Sequence, residues 1–285
     1  MADEMLSGNE APLVFEASVP STNDVAIDAA LGGVPHGWAV CADEQTAGRG
    51  RRGHTWASPA GSLYMSVVLR PQVPMQHFIA LPAVCAMGVI DALHGLGLAG
   101  SVGIKWPNDI VARVDADDRT PTAFDNKLAG ILVEARASEA GPFAVVGMGV
   151  NMHPVEIEAP AEGNVPKAPR ALTPVSLDEL LGEAAGTVEV PDVARRLRDA
   201  VIARVDAWAA LVHEGRASAG PLAPILSEYF DLVPMLGHQV AVLSPNGHLM
   251  NTGVFAGLDV WGRACVMTPG GEQTYPAEAV SLRAL

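Results

Sequence analysis

One long apolar segment, residues 78–98, limits most strongly how this chain can fold. It approaches the roughly 18 uninterrupted apolar residues that suggest a membrane span, but Pro82, Asp91, His94 and several glycines interrupt it. We therefore interpret residues 76–97 as a long helix buried in a globular core. The composition supports such a core, because 49% of the residues are hydrophobic and only 18% are charged. These fractions exclude a disordered or fibrous chain.

The charge of the chain limits its partners. Its 285 residues include 32 acidic and 18 basic side chains, which gives a net charge of −14 at pH 7. Sequence-independent binding to nucleic acid depends mainly on clustered Lys and Arg, so we expect no DNA partner. Any anionic ligand must be bound locally. The length allows one large domain, or one medium domain with a small appendage.

The three cysteines and the N-terminal segment argue against a secreted protein. Cys41, Cys85 and Cys265 lie far apart without CxxC or paired His spacing, so neither a disulfide framework nor a metal site is predicted. Residues 1–12 are acidic and lack the apolar region of a signal peptide. We expect a cytoplasmic protein with no membrane partner.

The secondary-structure pattern mixes strands and helices and then becomes purely β. A capped helix is predicted to begin near residue 22 and to stop at Gly32-Gly33. Strands are predicted over 38–42, 62–69, 103–106, 129–135 and 143–150. Two more helices are predicted over 191–214 and 222–230. Residues 114–126 and 154–174 are polar and are predicted to be surface loops. After Pro234, short β runs at 239–243, 252–258 and 264–267 predict a small β appendage.

The segment Gln45-Thr-Ala-Gly-Arg-Gly-Arg-Arg-Gly-His-Thr-Trp56 concentrates basic charge in an acidic chain. Its three glycines allow the backbone to approach a phosphate, and its three arginines can bind phosphate oxygens in a bidentate manner. Trp56 offers a flat face for a base. A flexible solvated basic turn explains the same pattern equally well.

Two further segments place polar residues at the ends of predicted strands. In Lys105-Trp106-Pro107-Asn108-Asp109, the proline fixes the backbone and the last two side chains can point at a ligand or metal. A Trp-Pro corner closed by an Asx turn is the structural alternative. Lys127 opens an apolar strand, where a fixed charge favours an anionic ligand. Edge lysines also protect strands against aggregation.

Alternating glycines in Gly147-Met148-Gly149-Val150-Asn151 indicate close approach by another backbone or by a flat ligand. The alternative is a tightly packed strand crossing. Ser21, at the start of the first helix, has an ordinary interpretation as an N-cap.

Taken in order, these segments resemble the biotin protein ligases over roughly residues 20–152. The resemblance rests on Ser-Thr-Asn at 21–23, GRGR at 48–51, KWPND at 105–109, KLAGIL at 127–132 and GMGVN at 147–151. It implies that biotin is bound by Ser21, Thr22, Asn23, Gln45, Arg49, Gly50, Arg51 and Lys127. It further implies that ATP or the adenylate is bound by Arg49, Arg51, His54, Trp56, Lys105, Trp106, Asn108 and Asn151. Lys127 and Arg51 are the expected catalytic residues, and His54 stands where many relatives carry an arginine.

The same resemblance implies a fold and a reaction. The expected fold is α+β, a class II synthetase-like catalytic domain over residues 1–234 with a mixed, largely antiparallel sheet flanked by helices. A C-terminal SH3-like barrel is expected over 235–285. The implied enzyme uses ATP, with Mg²⁺ on the phosphates, to form biotinyl-5′-AMP, and then transfers biotin to a lysine of a biotin carboxyl carrier protein.

Several alternatives stay open at this point. A lipoate protein ligase shares this chemistry, although its usual Arg-Arg-x-Ser-Gly-Gly-Gly stretch is not found here. A biotin or adenylate sensor without turnover is the second alternative. Only about twenty residues precede Ser21, so we expect no helix-turn-helix domain. The sequence leaves a homodimer open.

Overall fold

The computed structural model describes residues 11–53, 56, 58, 60–115, 117–118, 120–154 and 172–285. A mixed eight-stranded sheet forms the larger part, in the order β1-β2-β3-β7-β6-β5-β4, with β8 paired to β6. Its strands are β1 Leu13–Val19, β2 Ala39–Gln45, β3 Leu63–Leu69, β4 Val102–Lys105, β5 Asp109–Ala112, β6 Asn126–Ser138, β7 Gly141–Val150 and β8 Thr173–Pro174. The pairs β1-β2 and β6-β8 are parallel and the others are antiparallel.

In the part of the chain that the structure describes, five helices accompany the sheets, and two of them form the buried helical layer. The helices are α1 Thr22–Leu31, α2 Leu81–His94, α3 Leu177–Leu181, α4 Val190–His213 and α5 Leu226–Asp231. A 3₁₀ turn, Met75–Ala80, leads into α2. Together, Met75–His94 are long and apolar enough to cross a membrane, but 67% of their most apolar stretch is buried inside the protein. This is the pattern of a core helix.

Helix α4 covers α2 because its apolar residues recur along one face. Val193, Leu197, Val201, Val205 and Trp208 are all buried, as the sequence predicts. The two helices approach so closely that a Cβ at Gly88 of α2 would lie 2.7 Å from the Cα of Val201. Glycine at this position therefore sets the distance between the helices.

A second, five-stranded antiparallel sheet follows, in the order β12-β11-β10-β9-β13. Its strands are β9 Gln239–Leu243, β10 Leu249–Leu258, β11 Ala264–Thr268, β12 Gly271–Tyr275 and β13 Ser281–Ala284. Val240, Phe255 and Leu282 are among its buried residues. This arrangement is consistent with the expected SH3-like fold, whereas the division into domains at residue 234 stays a prediction.

Several local predictions need correction. Strands β1, β5, β12 and β13 form where the sequence predicts no strand. These strands are short or largely exposed, so their apolar pattern is weak. The helix predicted over 76–97 begins as a 3₁₀ turn and ends at His94, and the one predicted over 222–230 is shortened to α5. The predicted loop 154–174 contains β8, but its residues 155–171 lie outside the described part.

Candidate active site

A cleft of about 510 Å³ lies where one face of the large sheet meets the second sheet. Most of the residues predicted to form the site line it: Ser21, Thr22, Asn23, Gln45, Arg49, Gly50, Arg51, Trp56, Lys105, Asn108 and Lys127. The second sheet adds Ser244, Ser281 and Arg283. Residues far apart in the chain thus share one concave surface, the usual form of a ligand site.

A network of neutral hydrogen bonds forms one wall of the cleft. The backbone N–H of Thr22 donates to Gln45 Oε1 over 2.8 Å, and Gln45 Nε2 donates to Ser58 Oγ over 3.0 Å. Ser66 Oγ lies 2.8 Å from Thr22 Oγ1 and 2.7 Å from Asn23 Oδ1. Gln45, rather than Ser21, therefore satisfies the first N–H of α1, since Ser21 makes no side-chain cap.

Asn23 reaches its position because Gly147 lies beneath it. A Cβ at Gly147 would lie only 2.1 Å from Asn23 Oδ1, so no larger residue fits there. The side-chain amide of Asn23 donates to Glu134 Oε2 over 2.8 Å. Glu134 was not among the predicted site residues, and only the pairing of β6 with β7 brings it here.

Two other glycines form the floor under Trp56. Gly130 and Gly149 are direct partners in the β6-β7 ladder, and a Cβ on either would lie 2.7 or 2.8 Å from atoms of the indole. The ammonium of Lys127 lies 4.7 Å from the centre of the same ring, within cation–π range. The alternating glycines thus give close approach to a flat group, which here is the Trp56 side chain.

A buried ion cluster joins the KWPND and KLAGIL segments. Asp109 Oδ1 lies 2.6 Å from Lys127 Nζ, and its Oδ2 lies 3.6 Å from Lys105 Nζ. Lys105 faces Asp109 across the β4-β5 pair, and a β-bulge at Leu128 of β6 shifts the register so that Lys127 pairs with Val111 and lies alongside. Strand register therefore places both ammonium groups on one carboxylate.

The environment shifts the ionisation of this cluster. Burial is the main cause that lowers the pKa of Lys105 to about 8, and Asp109 partly offsets it. Burial raises the pKa of Asp109, but Lys127 and Lys105 outweigh it, so the net shift is downward. Asp109 stays ionised at neutral pH. With both lysines charged, the cluster carries a net positive charge that faces the cleft.

The three loop arginines have different partners. Arg49 makes a bidentate pair with Asp24 at 2.9 and 2.6 Å and lies 3.4 Å from Glu134, and the bond to Asp24 raises the pKa of Arg49. Arg51 lies 3.4 Å from Asn108 Oδ1, and burial followed by the charge of Arg52 lowers the pKa of Arg51. Among the described residues, Arg51 and Arg52 have no carboxylate within salt-bridge distance, because Arg52 instead donates to the backbone carbonyls of Ala277 and Val280.

Two of the predicted site residues are not brought to the cleft, and a third lies outside the described residues. The Trp106 ring is buried, and its Nε1 donates to the carbonyl of Gly262 over 3.1 Å. Asn151 donates to the carbonyls of Lys127 and Val175, both over 3.2 Å, and so holds the strand that carries Lys127. His54 lies outside the described residues. The nucleotide-binding roles of these three stay predictions.

No cluster of three or more His, Cys, Asp or Glu side chains that could hold a metal ion occurs in the described part of the chain. Asp109 carries the one carboxylate among the described residues that line the cleft. Both of its oxygens lie near lysine ammonium groups rather than being available to a metal ion.

Sequence comparison finds relatives for most of the chain. Residues 15–151 match the model of the biotin/lipoate A/B protein ligase family. A "Biotin--[acetyl-CoA-carboxylase] ligase" of Paracoccus denitrificans is 34% identical over 266 residues, which is 93% of this chain and 98% of the relative. The enzyme of the same name from Mycobacterium tuberculosis is 32% identical over 263 residues, 89% of this chain and 82% of its own.

Solved structures show the same fold. The biotin protein ligase from Aquifex aeolicus in complex with biotin and ATP superposes with a TM-score of 0.67 at 24% identity, over 96% of this chain and 99% of that one. The Leishmania major ligase in complex with biotinyl-5-AMP gives 0.56 at 23% identity, over 93% and 98% of the two chains.

Proposed function

Because this chain belongs to the biotin protein ligases, within the biotin/lipoate A/B protein ligase family, we propose that its cleft activates biotin with ATP and transfers it to a lysine of a biotin carboxyl carrier protein. The observation that carries this assignment to particular residues is the composition of the cleft. It combines a neutral hydrogen-bonding wall with a cluster of cations, in a chain whose net charge is −14.

The two parts of the cleft suit the two ends of biotin. Thr22, Asn23 and Gln45 line the cleft and present uncharged donors and acceptors, which match the uncharged ring system. Lys127 and Arg51 present positive charge farther along the cleft, which suits the carboxylate of biotin and the α-phosphate of ATP. Trp56 lies beside Lys127 on the glycine floor, and its flat face suits the adenine base.

In the first step, an oxygen of the biotin carboxylate attacks the α-phosphorus of ATP. The bond from that phosphorus to the oxygen bridging to the β-phosphate breaks, and pyrophosphate leaves. Negative charge is spread over the phosphoryl oxygens during this transfer, so fixed cations lower the barrier. Lys127 is the best-placed cation, because Asp109 and the Trp56 ring both hold its ammonium in position.

In the second step, the neutral amine of the carrier lysine attacks the carbonyl carbon of the mixed anhydride. The bond from this carbon to the phosphate oxygen breaks, AMP leaves, and the amine loses a proton. Neither step requires a nucleophile from the enzyme itself. Positioning and charge stabilisation therefore carry the catalysis.

Mg²⁺ belongs to the proposal as part of the ATP substrate. Mg²⁺ in nucleotide sites is usually held by phosphates together with one or two carboxylates. Asp109, the carboxylate lining the cleft, already faces two lysines, so we assign the ion to the ATP phosphates rather than to a site on the protein.

The remaining parts of the assignment are also proposals. An ATP-dependent ligase of this kind would act in the cytoplasm, where its carrier protein is made. Residues 1–234 and 235–285 would be its two domains. Whether the protein is a homodimer would be shown by sedimentation of the purified chain with and without biotin.

The activity can be tested with the purified chain, biotin, labelled ATP and a biotin carboxyl carrier domain. We expect pyrophosphate and AMP release together with biotin on the carrier. Pyrophosphate release without labelling of the carrier would indicate an adenylate sensor. Labelling by lipoate in preference to biotin would indicate a lipoate ligase, and either result would overturn the proposal.

A further inference from the structure

The loop that joins β2 to β3 is fixed at its base by its own backbone. The N–H of Trp56 donates to the carbonyl of Gly48 over 3.0 Å. A Cβ at Gly48 would lie 2.7 Å from the carbonyl oxygen of Trp56 and 2.4 Å from Ser58 Oγ, so glycine is required for this closure. The tip of the loop, a 3₁₀ turn over Arg51–Gly53, is held from elsewhere.

The contact at the tip comes from the second sheet. Arg52 Nη2 donates to the carbonyl of Ala277 over 2.5 Å and to that of Val280 over 2.6 Å. Val280 directly precedes β13, whose residues Ser281 and Arg283 line the cleft. One guanidinium thus joins the glycine-arginine loop on one side of the cleft to the segment that leads into β13 on the other side.

The backbone at Arg52 supports a role for the side chain. Arg52 has φ 57° and ψ 27°, and it is the one non-glycine residue with positive φ in the described part of the chain. Such a conformation is unfavourable for a side chain and persists where the surroundings hold it. Glycine would form this turn without strain, but only a long side chain with several donors can reach two carbonyls of the segment between β12 and β13.

We infer that Arg52 is a positioning residue that ties the loop over the substrates to β13, so that the two walls of the cleft become ordered together and retain the adenylate. This inference rests on the proposed function. A direct contact between Arg52 and phosphate is the competing role, because Arg52 also lines the cleft. Nη2 of Arg52 is engaged by the carbonyls of Ala277 and Val280, whereas Nε and Nη1 are the donors that a phosphate would use.

Three substitutions distinguish the hydrogen bonds from Arg52 to the segment before β13, here called the tether, from the left-handed turn at Arg52 and from its positive charge. Arg52→Asn retains a residue that tolerates the left-handed conformation but is too short to reach β13. Arg52→Gly relieves the strain and also removes the tether. Arg52→Lys retains the charge and one reaching donor group. Arg195→Asn is the matched control, since Arg195 is an exposed arginine on α4 paired only locally with Asp192.

Hydrogen exchange on the full chain without ligands tests the tether directly. In Arg52→Asn and Arg52→Gly we expect amides of both 48–53 and 277–284 to exchange faster, by about tenfold, as loss of charge-assisted hydrogen bonds would cause. Arg52→Lys should lie between these variants and the parent, and Arg195→Asn should equal the parent. Faster exchange in 48–53 alone would identify a local turn and overturn the inference.

Release of biotinyl-AMP in the absence of carrier provides the functional readout. We expect Arg52→Asn and Arg52→Gly to release the adenylate about tenfold faster than the parent, with a smaller effect for Arg52→Lys. One result would reject the tether. Arg52→Lys would release the adenylate as slowly as the parent, while its amides in 277–284 would exchange as fast as those of Arg52→Asn. The positive charge alone would then account for retention of the adenylate. A parent chain that forms no adenylate would instead reject the proposed function, and the exchange result would still be interpretable.

Discussion

The cleft receives its positive charge from two regions that are built differently. Lys105 and Lys127 lie on strands, where ladder register and the buried carboxylate of Asp109 fix their ammonium groups. Arg49, Arg51 and Arg52 lie on a loop, where side-chain hydrogen bonds to three different parts of the molecule hold them. The strand-borne cations are therefore positioned by folding itself. The loop-borne cations can move with the loop, so they suit a site that must open for substrates and then close.

The largest expected effect is on the strand side, at Lys127. Lys127→Ala should fold normally, because Lys127 is only half-buried at the start of β6. The rate of single-turnover adenylation should fall at least about a hundredfold, which is ~2.7 kcal/mol on the transition-state scale. Quenched-flow measurement of biotinyl-AMP would check this. Arg136→Ala, an exposed position on the same strand, should stay near the parent. A loss of less than about threefold for Lys127→Ala would remove its assigned role.

The second effect tests the floor that supports both regions. Gly149→Ala would place a Cβ 2.8 Å from the Trp56 indole, so the ring and the Lys127 ammonium above it must shift. We expect the KM for ATP to rise about tenfold, an effect of ~1.4 kcal/mol. Gly186→Ala is the matched control, because a Cβ there meets nothing within 4 Å. An unchanged KM in Gly149→Ala would show that the site does not depend on the position of Trp56.

The sequence predicts these two regions unequally. Motif order alone brings Thr22, Gln45, Arg51 and Lys127 to one site, and the structure places all of them on the cleft. The alternation of glycines predicts a close approach at Gly149, but it does not identify Trp56 as the group that approaches. Sequence spacing carries information about local backbone, whereas the identity of a contacting side chain depends on tertiary pairing.

The contacts that sequence reasoning missed are those set by strand pairing or by the second sheet. Glu134 meets Asn23 only because β6 pairs with β7, and Arg283 reaches the cleft from β13, a short strand without a clear apolar pattern. Trp106 belongs to a recognisable motif, yet its indole is used to join the two sheets. A motif therefore identifies a region of the site, and the packing decides which of its side chains face the cleft.

A third prediction separates stability from activity on the strand side. The pKa of Lys105 is lowered from 10.5 to about 8, mainly by burial. Between these two values the unfolded chain binds more protons than the folded one, so stability rises with pH through this window, and below about pH 8 the charged lysine reduces stability. Lys105→Met should therefore raise the free energy of unfolding at pH 7 by roughly 1–3 kcal/mol while lowering adenylation.

Urea unfolding at pH 7 and pH 10 would check this prediction. The gain in Lys105→Met over the parent should shrink at pH 10, because Lys105 is then neutral in the folded parent and keeping it neutral costs much less free energy than at pH 7. A variant that is less stable than the parent at pH 7 would mean that the pairing with Asp109 outweighs the cost of burial.

The smallest expected effect is on the loop side, at Arg49. Its pair with Asp24 has good bidentate geometry, but the two side chains are 42% and 47% exposed, and such pairs contribute at most about 1 kcal/mol. We expect Arg49→Lys to lower the free energy of unfolding by less than ~1 kcal/mol and to weaken adenylation only about twofold to threefold, with Asp24→Asn similar. The effect should decrease in high salt, since exposed pairs are screened. A loss as large as that of Lys127→Ala would show that Arg49 leaves Asp24 and contacts the substrates, and the contrast between strand-borne and loop-borne cations would then fail.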